Sequence, residues 1–125
     1  MKNEKISVII PTYNGEKTIR RAIESILNQT ISTDIKILIC DDCSTDQTIE
    51  ICKQYPECII FANIEHSAGP NKGRNIGIKN AVGDYITFLD QDDVWLPNKL
   101  ELQLKEIKNA DFIYSRCIKK TVQKS

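Results

Sequence analysis

No apolar run in this 125-residue chain approaches the roughly 18 residues that a membrane-spanning helix needs. The stretch Ile6–Pro11 is too brief, and too quickly followed by polar residues, to act as a cleavable signal peptide. Charge of one sign is also missing. Seventeen basic residues balance seventeen acidic ones, so no whole-chain basic field points to nucleic acid. Five Gly and four Pro exclude a fibrous or low-complexity chain. The single histidine, His66, has no partner at ligand spacing, so the Cys40-x-x-Cys43 pair lacks the second ligand pair of a structural zinc site. The cysteines number five, an odd count without a secretory signal. That implies reduced thiols in a cytoplasmic setting, with packing and turn roles. Neither a Walker A sequence nor GxGxxG occurs, so the common phosphate-loop nucleotide folds are unsupported.

What remains suits one soluble domain, with 41% hydrophobic and 27% charged residues. The charge is uneven. Arg116–Ser125 holds four basic residues and no acid, leaving 13 basic against 17 acidic residues, net −4, in Met1–Ser115. This basic tail reads first as a solvated, poorly ordered terminus. Attraction to the inner face of a membrane is the alternative.

The hydrophobic period alternates between two values. Ile6–Ile10 is β-branched and apolar and stops at Pro11, as a strand buried on both faces does. From Glu16 to Gln29, the residues Ile19, Ala22, Ile23, Ile26 and Leu27 form one helical stripe, with Asn14 as a candidate cap. Ile35–Cys40 is a second strand. A second helix follows, capped from Ser44, Thr45 or Asp46, with Ile49, Cys52 and Tyr55 facing inward. Cys58–Ala62 is a third strand, followed by a turn-forming stretch containing Gly69-Pro70. A third helix over Lys72–Val82 carries Gly73 and Gly77 on one face and ends at Gly83. Asp84–Asp90 is a fourth strand. Pro97 opens a fourth helix with Leu100, Leu104 and Ile107 facing the core, and Asp111–Ser115 is a candidate fifth strand. Strands alternating with helices predict an α/β fold with a mainly parallel sheet and helices on both faces. Such sheets bind ligands outside the carboxyl ends of their strands, where strand order reverses.

The strand ends carry the chemistry. The first ends in Pro11-Thr12-Tyr13-Asn14, the second in Asp41-Asp42, the fourth in Asp90-Gln91-Asp92-Asp93. Three carboxylates in four residues repel one another in a low-dielectric cleft. A hard cation such as Mg²⁺ or Mn²⁺, sharing oxygens with a phosphate, relieves that conflict, as does a hydrated turn. Of Asp41 and Asp42, one can cap the following helix and the other can accept a hydrogen bond from the ring N–H of a base. Tyr13 could offer that base an aromatic face, or simply pack. Arg74 suits a phosphate as a bidentate donor, or a strand-end aspartate as an ion-pair partner. A signalling receiver domain would place its acidic pair at the end of the first strand, where this chain has Pro11-Thr12-Tyr13-Asn14.

Four stretches, in order and at family spacing, resemble glycosyltransferase family 2, whose catalytic domain has the GT-A fold. They are Val8-Ile9-Ile10-Pro11-Thr12-Tyr13-Asn14, Asp41-Asp42-Cys43-Ser44-Thr45-Asp46, Gly69 through Arg74-Asn75-Ile76-Gly77, and Gly83 through Asp90-Gln91-Asp92-Asp93 with Pro97 and Leu100. The resemblance covers Lys5 to Ser115. It implies a Rossmann-like N-terminal half of a GT-A fold that binds a nucleotide-diphosphate sugar, most commonly a UDP-sugar, for inverting transfer. By that resemblance Pro11, Thr12 and Tyr13 wall the base, Asp41 accepts from the uracil ring, and Asp42 shapes the turn. Arg74 lies near the phosphates. Asp90-Gln91-Asp92 matches the family's DxD, with Asp90 near ribose and ion and Asp92 on Mg²⁺ or Mn²⁺. Trp95 borders the acceptor side or covers the core. Cys43 departs from the small turn residue common in the family.

The family's general base is a carboxylate in the second half of the domain, and here none follows Asp111. The resemblance therefore implies a donor-binding half, residues 1–115, cut off before the base and most of the acceptor site, with a basic tail at 116–125. No catalytic residue is assigned. Acceptors in the family are glycans or lipid-linked glycans. A nucleotide-sugar-binding module, or an inactive truncated product, is the competing reading.

Overall fold

The computed structural model describes residues 5–31, 33–63, 71–109 and 117–119. The elements run β1 (Lys5–Thr12), α1 (Ile19–Leu27), β2 (Asp34–Asp41), α2 (Thr48–Cys52), β3 (Cys58–Ala62), α3 (Asn71–Asn80), β4 (Tyr85–Phe88), α4 (Lys99–Asn109) and β5 (Cys117–Lys119). The sheet order is β3-β2-β1-β4-β5. The first four strands pair in parallel, and β5 pairs antiparallel to β4. The chain thus winds outward one way from β1, then crosses to β4 on its other side, so the switch point lies between β1 and β4.

β1 is buried along nearly its whole length because it is central and covered on both faces. Its Ile6, Val8 and Ile10 pack with Ile19, Ala22, Ile23 and Ile26 of α1 and with Leu100 and Leu104 of α4. Ile9 points the other way, into a second cluster with Leu38, Cys40, Ala81 and Ile86 under α3. The period of two thus assigns even β1 residues to the α1 face and odd ones to the α3 face.

Helix α3 approaches the sheet closely because Gly77 faces it. An added Cβ there would sit 2.5 Å from Ile9 Cγ2 and 2.8 Å from Ile9 Cγ1, whereas at Gly73 the nearest atoms would be 3.3 Å away. Gly77→Ala is therefore expected to destabilise. Overpacking costs about 1–3 kcal/mol and outweighs the gain of about 1 kcal/mol in helix propensity. Gly73→Ala is expected to stay within about 1 kcal/mol of the unsubstituted chain. Urea unfolding of the two variants checks both, and equal midpoints would remove the close-packing argument.

The ends of several elements differ from their sequence expectation. Asn14 does not cap α1. Its Oδ1 accepts a hydrogen bond from Thr45 N–H at 2.8 Å, and α1 starts only at Ile19. Helix α3 ends at Asn80, and Gly83, at φ +106°, sits in the following turn. The tail read as poorly ordered holds the strand Cys117–Lys119, because β4 otherwise presents an unpaired edge on the side away from β1. Gly69-Pro70, His66, the candidate strand Asp111–Ser115 and the rest of the tail lie outside the described residues.

Candidate functional site

At the switch point, β1 outlasts its partner. The β1–β4 register ends at Ile9↔Phe88, with a last hydrogen bond from Leu89 N–H to Ile9 O at 3.0 Å, while β1 runs on to Thr12 beside β2. The two strand ends splay and open a cleft of about 440 Å³, within the range of small-molecule sites. Pro11, Thr12 and Tyr13 form one wall, Cys40 and Asp42 the base of the next strand, Gly73 and Arg74 the helix side, and Asp90, Gln91 and Asp92 the opposite lip. Six of the seven residues singled out in the sequence thus converge on one cavity: Pro11, Thr12, Tyr13, Arg74, Asp90 and Asp92.

The seventh, Asp41, does not, whereas its neighbour Asp42 does. Asp41 is 1% exposed. One oxygen accepts from Thr12 Oγ1 and Ser44 Oγ, both at 2.6 Å, and the other accepts from Ser44 N–H at 2.8 Å. Those bonds fold the β2–α2 turn back onto β1, so Asp41 shapes the turn, and its carboxylate is spent on the fold. Asp42 lines the cleft, held by Asn63 Nδ2 donating to its Oδ1 at 3.1 Å. Alternation explains the difference in placement: Ile37 and Ile39 face α1, Leu38 and Cys40 face α3, and the cleft opens on the α3 face.

On the acidic lip, Arg74 Nη2 lies 3.4 Å from Asp90 Oδ1 and both groups are about one-third exposed. The guanidinium therefore serves both expectations, as an ion-pair partner and as a cation facing the cleft. Asp93 N–H donates to Asp90 O at 3.0 Å and closes the turn that presents Asp92, which is exposed. Among the described residues no group of three or more His, Cys, Asp or Glu could hold an ion by itself. Asp90 and Asp92 supply two carboxylates. They fit a hard cation that takes its other oxygens from a bound diphosphate and water.

Trp95 is buried against the core, and it also lines a second cavity of about 520 Å³ that meets the first at Asp90. Cys40, Cys43, Cys52 and Cys58 form no disulfide. Burial pushes the Cys40 thiol up to about 11, and burial followed by the charge of Asp41 pushes Cys52 to about 12. Both stay protonated at neutral pH, which suits packing rather than chemistry. Cys43 holds φ +66°, a conformation that a glycine adopts without strain. No helix among the described residues is long and apolar enough to cross a membrane.

Sequence reasoning passed over Gln91, treating it as the variable position between two aspartates. Its amide bonds both backbone groups of Tyr13. No local pattern signals this, because the partner lies 78 positions away.

The parallel sheet, the crossover at β1 and the acidic cleft define a Rossmann-like α/β domain of the GT-A kind. The chain belongs to glycosyl transferase family 2, whose model matches residues 7–123. It is 45% identical over 118 residues to an uncharacterized glycosyltransferase of Rickettsia felis, covering 92% of this chain and 19% of that one. It is 38% identical to the UDP-Glc:alpha-D-GlcNAc-diphosphoundecaprenol beta-1,3-glucosyltransferase WfgD of Escherichia coli, covering 91% of this chain and 46% of that one. Among solved structures, S. aureus TarS 1–349 in complex with UDP-GlcNAc superposes with a TM-score of 0.79 at 36% identity, over 84% of this chain and 31% of that one. The chain therefore spans less than half the length of these relatives.

Proposed function

We propose that this chain is the donor-binding half of a family 2 glycosyltransferase domain, holding a UDP-sugar together with Mg²⁺ or Mn²⁺. The observation that carries this is the switch-point cleft itself. It has an aromatic ring and a carboxylate on one wall, and an arginine with two aspartates on the other. Tyr13 would face the base, and Asp42, in place of Asp41, would accept its ring N–H. Arg74 would face the diphosphate, where negative charge grows as the sugar leaves. Asp90 and Asp92 would hold the cation, which neutralises the same charge when bound. The relatives' names support the donor: WfgD uses UDP-Glc, and the TarS structure holds UDP-GlcNAc. WfgD's name also supports a lipid-linked glycan acceptor.

Inverting transfer needs a base to take the acceptor's proton. None of the cleft carboxylates is left for that task, since Asp42 would bind the base and Asp90 and Asp92 would hold the cation. We assign the base and most of the acceptor site to the remainder of a longer domain. Titration calorimetry of the 125-residue chain with UDP, with and without Mn²⁺, tests the reading, alongside release of UDP from several UDP-sugars. Binding strengthened by Mn²⁺ without turnover is expected. No binding under either condition would overturn the donor site, and turnover would overturn the assignment of the base.

A further inference from the structure

Beyond Phe88 the β1–β4 ladder is missing, yet one residue further along β1 is paired as if it continued. Backbone groups alternate along β1. Ile9 O faces β4, where it accepts from Leu89 N–H, and Thr12 O faces β2, where it accepts from Asp42 N–H at 2.9 Å. Pro11 and Tyr13 therefore fall on the β4 side. Pro11 has no N–H to leave unpaired there. Tyr13 has both groups, and Gln91 takes both: Tyr13 N–H donates to Gln91 Oε1 at 2.8 Å, and Gln91 Nε2 donates to Tyr13 O at 3.0 Å. A side-chain amide thus stands where the peptide of a neighbouring strand would be. The position beneath it must be small. A Cβ on Gly15 would lie 2.5 Å from Gln91 Oε1 and 2.7 Å from its Cδ.

We propose that Gln91 is a positioning residue: it fixes Tyr13 across the splayed strand ends and so presets the aromatic wall of the cleft for the nucleotide base. This rests on the donor-site reading above. The residue lies between Asp90 and Asp92, so one short loop would hold the cation with its carboxylates and the base platform with its amide. Rigid placement of Tyr13 before binding spares the ordering cost that a loose ring would carry into the complex.

The test is calorimetry of the whole 125-residue chain in Mn²⁺ with two probes, UDP and inorganic pyrophosphate. Gln91→Met keeps the side-chain length and removes both hydrogen bonds. UDP affinity is expected to fall about tenfold, as loss of two partly exposed hydrogen bonds implies, with pyrophosphate affinity changed less than about twofold. In a Tyr13→Ala background the same substitution is expected to cost less than about twofold, because the ring it positions is gone. A merely structural role would weaken both probes alike and add to the Tyr13→Ala loss. Either that result, or unchanged UDP affinity in Gln91→Met, overturns the proposal and leaves the donor site standing. Failure of the unsubstituted chain to bind UDP overturns the donor site and this role with it. Should Gln91→Met lose its cooperative thermal transition, Gln91→Asn replaces it. Its neutral amide is one methylene too short to reach both backbone groups of Tyr13, and the same split between probes is expected.

Discussion

Asp41→Ala is expected to cost about 3–5 kcal/mol of stability, the loss typical when one member of a buried, charged hydrogen-bond network is removed. Three donors converge on this carboxylate: the Thr12 hydroxyl, the Ser44 hydroxyl and the Ser44 N–H. Hydrogen bonds to a charged acceptor contribute about 1.5–3 kcal/mol each, and they do not add fully within one network. Relief of the buried charge offsets part of the loss. It does not reverse it, because Thr12, 3% exposed, keeps a hydroxyl with its acceptor removed. Against a typical total of about 5–15 kcal/mol, the melting temperature should fall by about 10 °C or more. Asp42→Ala should behave differently. It breaks the bond from Asn63 and leaves the Asp41 network intact, so its melting temperature should fall by less than half as much while UDP affinity drops. Thermal unfolding of the two variants side by side decides between the two placements. An Asp41→Ala variant melting within about 2 °C of the unsubstituted chain would return Asp41 to the cleft.

The period of two explains both what was legible and what was misassigned. Ile6–Ile10 and Ile35–Cys40 read as strands because a parallel sheet covered on both faces leaves no polar alternation to confuse the pattern. The α1 stripe read correctly because Ile19, Ala22, Ile23 and Ile26 are all buried, as its spacing requires. The cleft residues were legible because ligands of such sheets gather at strand ends, and there the sequence is polar and acidic. Asp41 rather than Asp42 was expected in the cleft because adjacent residues of a strand face opposite sides, and their order turns on where β2 ends. The strand runs through Asp41, and counting in twos from Leu38 and Cys40 puts Asp42 in the cleft. Strand β5 was not read from the tail because three residues carry too little pattern to be distinguished from one. Gln91 was illegible for a different reason. A glutamine between two aspartates has no periodic meaning, and its pairing with Tyr13 exists only once β1 and β4 lie side by side.

The second large effect is expected at Asp92. Of the three lip carboxylates, Asp90 is ion-paired with Arg74 at 3.4 Å, and the Asp93 backbone closes the turn, so exposed Asp92 is the group best placed to add charge to a cation. A carboxylate–cation contact in partly screened solvent contributes about 1–3 kcal/mol, or about 5- to 150-fold in affinity. Asp92→Ala should therefore remove most of the Mn²⁺ enhancement of UDP binding. The metal-free affinity should stay level or rise slightly, because one negative charge near the diphosphate is gone. Arg74→Ala should move the metal-free affinity the other way. Metal-free UDP affinity falls with the lost phosphate partner, while Mn²⁺ binds the unoccupied protein more tightly, since one positive charge beside Asp90 is gone. The opposed signs separate a metal site from general loosening of the loop, which would weaken UDP in both variants with and without the ion. Calorimetry at fixed ionic strength reads all four numbers, and a full Mn²⁺ enhancement in Asp92→Ala would remove Asp92 from the site.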